Sequence, residues 1–101
     1  MKIPKSFQIF GHTISVAWQP TLLSDQSFVG QARHRTNEIL LQPVVEGVKF
    51  PRTCIEQNYL HEVVHTILEK LQRQELSDDE VFVDTFAQAL HQIMITSKGE
   101  L

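Results

Sequence analysis

An α+β fold is predicted: a small, mostly antiparallel sheet followed by two antiparallel helices. Three observations carry that prediction. Hydrophobic periodicity changes character once, near residue 50, with strand-like alternation before it and helical spacing after it. Two S/T-x-x-E motifs, T53-C-I-E56 and S77-D-D-E80, stand where the two helical stretches open. The length, 101 residues, suits one domain with one modest core.

The strands come first. Phe7 to Phe10 and Thr13 to Trp18 alternate, with Ile14, Val16 and Trp18 on one face and Gly11-His12 between the pair. Phe28 to Ala32 and Glu38 to Leu41 flank R33-H-R-T-N37, which reads as a hairpin loop. Residues 42–52 carry no clear period and read as irregular. The helices follow. In the first box the Thr53 hydroxyl takes a backbone N–H and Glu56 reaches back, and Leu60, Val63, Val64, Ile67, Leu68 and Leu71 form an apolar stripe that fades near Arg73. The second helix, about 77–95, turns Phe82, Phe86, Ala89, Leu90 and Ile93 inward, and the tail from Thr96 frays. Trp18 and the phenylalanines read as core, as does the small side chain of Cys54.

Composition excludes several classes. With 42% apolar and 21% charged residues the chain is globular rather than disordered. A net charge of -3 argues against a nucleic-acid or anionic-membrane partner; Arg33, His34 and Arg35 make the one tight basic cluster, which a hairpin tip explains equally well. A single cysteine cannot build an intramolecular disulfide and suits a reducing cytoplasm. No apolar run is long enough for a signal peptide or a bilayer span.

The chemistry gathers in N58-Y-L-H-E-V-V-H-T-I67. Residues four apart share a helix face, so His61 and His65 can aim two imidazoles at one point. Neutral imidazole is a good Zn²⁺ ligand, and a catalytic zinc site uses three protein ligands. Glu62 projects about 100° around the helix from His61, where it can act as general base toward an attacking water. A chance HExxH on an amphipathic helix is the plainer explanation unless a third ligand exists. Pairing the antiparallel helices about a turn centred near residue 74 sets His65 opposite Asp84 and His61 opposite Gln88. Asp84 is then the expected third ligand, and Gln88 orients His61 through its other ring nitrogen. Glu80 is the rival, because Glu80 and Asp84 together reproduce the Glu-xxx-Asp spacing of thermolysin-like enzymes; against it, Glu80 is occupied in the capping box.

The run HEVVHTIL, a short polar turn, and LSDDEVFVDTFAQALHQ together resemble small phage- and prophage-encoded zinc metallopeptidase-like proteins, related to the gluzincins and to ImmA/IrrE-type peptidases. The segments F28-V-G-Q-A32, E38-I-L-L41 and R52-T-C-I-E-Q-N-Y-L60 fit the same group, so the likeness covers roughly residues 7 to 95. It implies a minimal zincin-like fold, zinc as cofactor, and a cytoplasmic peptidase acting on a peptide or protein substrate such as a phage or host regulator. The family's acidic residue of the second helix, usually Glu, aligns on Asp84, which is one methylene shorter. Gln88 stands where Asn is frequent, and His91 where tyrosine often occurs. An edge strand above the active-site helix receives the peptide in such folds, and Glu38 to Leu41 is the candidate. Tyr59, His34 and His91 are candidates to stabilise an oxyanion, each with a structural role as the plainer alternative. His12 reads as a turn residue. The competing function is a catalytically inactive zincin-like regulatory or protein-binding module.

Overall fold

The computed structural model describes residues 1–21 and 29–101, and the fold is α+β. Strands β1 (Ser6–Ile9), β2 (His12–Trp18), β3 (Gly30–Arg33) and β4 (Glu38–Leu41) form one sheet in the order β1-β2-β4-β3. β1 and β2 pair antiparallel, as do β3 and β4, while the central pair β2 and β4 is parallel. Phe10 and Gly11 join β1 to β2 with both residues at positive φ, the requirement of a two-residue type I′ turn. The expected start of the third strand, Phe28, lies outside the described residues.

The stretch expected to be irregular holds a second, two-stranded ribbon, β5 (Val44–Val45) with β6 (Val48–Lys49). Glu46 and Gly47 turn it, again both at positive φ. Three helices follow: α1 (Arg52–Lys70), the single turn α2 (Gln74–Ser77), and α3 (Glu80–Thr96). α1 packs on β3 and β4 with one side and on α3 with another. Ile14, Ile39 and Leu41 from the sheet meet Tyr59, Leu60, Val64 and Leu68 from α1, and Val83 and Ala87 from α3 close the core.

Neither capping box forms as expected. α1 opens after Pro51, which makes no side-chain cap, and Glu56 turns inward to His91, Arg52 and the Met1 ammonium. α3 is capped by Asp79, whose carboxylate accepts the Phe82 N–H at 3.0 Å. At the end of α1, Arg73 N–H bonds Leu68 C=O and Gln72 N–H bonds Glu69 C=O, with Gln72 at φ 58: a Schellman ending built on Gln rather than Gly.

The inward face of α3 also differs from expectation. Val83, Ala87 and His91 are buried, whereas Phe86 and Ile93 are exposed. Small side chains at 83 and 87 let α3 approach α1 closely, and Phe82 and Phe86 are left on the flank, where their rings lie 5.7 Å apart. Trp18, Phe10 and Cys54 are exposed too. Trp18 ends β2 at the mouth of a cleft lined by Ile3, Pro4 and Leu41, so alternation placed it on a core-facing line beyond the point where the core stops.

Candidate metal centre

Helical spacing does to His61 and His65 what the sequence requires: their ring centroids are 4.9 Å apart, edge to face, on the side of α1 that looks toward α3. Glu80, the first residue of α3, reaches both. One carboxylate oxygen lies 3.1 Å from His61 Nε2 and the other 3.2 Å from His65 Nε2. One ligand atom from each of the three residues falls within 4.8 Å of the other two. Tetrahedral ligands about 2.0–2.1 Å from a zinc ion are themselves about 3.4 Å apart, so the donor set fits zinc with small adjustments.

Asp84 takes a different place. Its Oδ1 lies 3.5 Å from His61 Nδ1, the ring nitrogen on the far side from Glu80. Gln88 does not meet the ring at all; its amide donates to Asp84 Oδ2 at 2.7 Å and so steadies the carboxylate that does. The helices therefore pair one turn earlier than a reversal centred near residue 74 would give. The Schellman ending reverses the chain at residues 71–73, and the Asp79 cap releases Glu80 from the capping role that had argued against it.

His65 has a matching partner that the sequence reading missed. Ser77 Oγ, buried at the end of α2, lies 2.8 Å from His65 Nδ1. Each imidazole thus has a polar atom behind it at Nδ1 and directs Nε2 to Glu80. Nothing in the local sequence marks Ser77 for this task, because a serine before Asp-Asp-Glu reads first as a helix cap. Burial holds the His65 pKa below its ordinary value, aided by the charges of His61 and His34 and opposed by Glu80. A depressed pKa keeps the ring neutral, the form a metal ligates.

Glu62 is buried beneath the edge strand. The Ala32 N–H donates to its carboxylate, and a Cβ on Gly30 would stand 3.2 Å from Glu62 Oε2. Burial pushes its pKa up to about 7, with the Glu80 charge adding to the rise and His61 and the Ala32 N–H opposing it. A carboxylate poised there is half-ionised near neutrality, as a general base should be. Gly30, Gln31, Ala32, His34, His61, Glu62, His65 and Glu80 enclose a cavity of about 370 Å³.

The strand over this cavity is β3. Glu38–Leu41 lies between β2 and β3 with both edges paired, so the expectation that it receives a peptide is corrected. β3 is one of the two edge strands, and the backbone groups of Gly30 and Ala32 turn away from β4, as the Ala32 N–H bond to Glu62 and the pairing of Val29 C=O with Gln42 N–H require. Of the three candidate oxyanion partners, only His34 reaches the cavity. Tyr59 is part of the core, and burial raises its pKa. His91 is buried 2.7 Å from Glu56, in a separate polar cluster. Among the described residues, no helix is long and apolar enough to cross a membrane. Comparison of the chain with protein-family models, curated proteins and solved structures yields no match.

Proposed function

We propose that the chain is a zinc-dependent peptidase of minimal zincin-like build. His61 Nε2, His65 Nε2 and a carboxylate oxygen of Glu80 would hold the metal, and Glu62 is its general base. The observation that carries this reading is the placement of Glu80 between the two Nε2 atoms, 3.1 and 3.2 Å away. Two histidines alone would be compatible with chance. A carboxylate from another helix meeting both on their ligating side is a complete three-protein donor set.

Bound zinc supplies Lewis acidity, which polarises a carbonyl and acidifies water. The protein's own groups do the rest. Asp84 and Ser77 hold the Nδ1 sides of the two rings, fixing which nitrogen faces the metal. Glu62, with a pKa of about 7, accepts a proton from the attacking water and delivers it to the leaving amine. The Gly30 N–H and C=O and the Ala32 C=O lie on an outer edge, to which an extended peptide adds as a further strand. The likeness of HEVVH and the following helix to phage-encoded peptidases supports a peptide or protein substrate, a phage or host regulator among them. The lone Cys54 supports a reducing, cytoplasmic setting.

The test is elemental analysis of the purified protein together with cleavage of a casein digest. One zinc per chain, and cleavage that stops on chelation and resumes with added zinc, is the expected result. A chain that takes up no zinc sinks the reading.

A further inference from the structure

The cavity over Glu62 has His61 and Glu80 in its wall. A second cavity, of about 340 Å³, shares those two residues and adds Val81, Asp84 and Thr85. A third, of about 540 Å³, shares Val81 and Thr85 with the second and is floored by Phe82, Phe86 and Ala89. Common walls thus join the two histidines to an apolar groove on the outer face of α3.

The groove is not a by-product of core packing. Val83, Ala87 and His91 are the residues of α3 buried against the rest of the fold. Phe82, Phe86 and Ala89 follow a separate helical line, and Phe86 is 47% exposed and Val81 78%. No Asp, Glu, Lys or Arg occurs between Asp84 and Lys98, although the solvent-facing side of a helix ordinarily carries charge. A contiguous apolar surface of this kind, rimmed by polar side chains, marks a binding surface.

Continuity with the cavity over Glu62 selects the occupant. From Glu80 to Phe86 the helix rises about 9 Å, which an extended peptide covers in about three residues. Asp84 borders the passage and Asp79 the groove, and among the described residues no lysine or arginine lines any of the three cavities. An acidic segment is therefore repelled, and a neutral or basic one is admitted.

We propose that the groove over Phe82 and Phe86 sets the substrate preference of the site. It takes a large apolar side chain about three residues from the bond that is cut, with neutral or basic residues between. The groove binds and takes no part in the chemistry. The proposal rests on the peptidase reading and names the substrate class of that same site.

The experiment uses the zinc-loaded full chain, its Phe86→Ser and Val81→Ser variants, and Ile95→Ser as a control. Ile95 is exposed on the same helix but outside the groove. Each chain receives the same casein digest, and mass spectrometry ranks the bonds cut. In the parent, cut bonds should be enriched in large apolar residues about three positions to one side. Phe86→Ser should erase that enrichment and raise KM for such peptides about 10-fold, with a smaller rise in Val81→Ser. Zinc affinity should stay within about twofold, since neither residue is a ligand. Cleavage without the enrichment, or an equal loss in Ile95→Ser, overturns the proposal and leaves the peptidase reading standing. Amide spectra of the zinc-loaded Glu62→Gln chain, titrated with the same digest, give a reading independent of turnover. Shifts at Val81, Thr85 and Phe86 together with Gly30 and Gln31 are expected, and shifts confined to Gly30 and Gln31 overturn the proposal. If zinc binds and casein is not cleaved, these spectra decide. A parent chain without zinc overturns both readings. A parent that sediments as a dimer, and becomes a monomer in Phe86→Ser, assigns the groove to a second copy of the chain and overturns the proposal.

Discussion

Asp84 lies 3.5 Å from Nδ1 of His61, on the opposite side of the ring from Glu80. That relationship separates two acidic residues, one turn apart on α3: Glu80 meets both Nε2 atoms, and Asp84 stands behind one ring. Under the zinc proposal, Glu80 takes the ligand role that sequence alone gave to Asp84.

Removing Glu80 should therefore do more harm than removing Asp84. Glu80→Ala is expected to abolish stoichiometric zinc binding at micromolar concentrations, whereas Asp84→Asn weakens it by about 10- to 100-fold, the usual range for a partner of a metal-binding histidine. Chelator competition measures both. Equal losses, or a larger one at Asp84, would return the third-ligand role to Asp84.

Glu62→Gln should abolish turnover and keep zinc. It should also change the stability of the metal-free fold in a pH-dependent way. The folded pKa is raised to about 7 from an ordinary 4.5, so the folded state resists ionisation. Below pH 4.5 the group is protonated whether folded or not, and the substitution brings no gain. Above pH 7 the ionised group carries its full penalty, on the order of 3 kcal/mol from the size of the shift. Thermal unfolding of the metal-free variant should show stabilisation at pH 8 that fades as the pH approaches 4.5.

Gly30 is a close-approach position rather than a flexible one. A Cβ there would meet Glu62 Oε2 at 3.2 Å and Cγ at 3.3 Å. Under the peptidase proposal, Gly30→Val should displace Glu62 and lower kcat by an order of magnitude or more, while zinc content and the circular-dichroism spectrum stay as in the parent. A fully active Gly30→Val chain would show that Glu62 has room to spare.

Glu56 anchors the end of the core away from His61 and His65. The hydrogen bond to His91 leads in lowering its pKa, with burial opposing and the Met1 ammonium and Arg52 adding to the fall. Because its folded pKa lies below the ordinary 4.5, it contributes stability above that value and loses it as the pH drops through the folded one. Glu56→Ala, which leaves buried His91 unpaired, should cost about 3 kcal/mol at pH 7 in urea unfolding, and the cost should shrink toward pH 3.

The α+β class, the antiparallel helix pair and the convergence of His61 with His65 were all legible from residue order, because each depends on short-range periodicity. The Val44–Lys49 ribbon was legible in principle, since Glu46-Gly47 between valine-bearing segments is a turn signal. The inward face of α3 was not: apolarity favoured Phe86 and Ile93, while close approach to α1 selected Val83 and Ala87.

Local order, then, was enough to specify a helix that presents two imidazoles with a carboxylate beside them, because 3.6 residues per turn is a property of the backbone itself. Only the assembled molecule decided which acid completes the group, which strand covers it, and that Ser77 and Gly30 stand around it. Those outcomes depend on where the chain reverses after Lys70, on which residue caps α3, and on the order of strands in the sheet. A displacement of one turn between two packed helices changes every partner across the interface and leaves each helix's own pattern untouched.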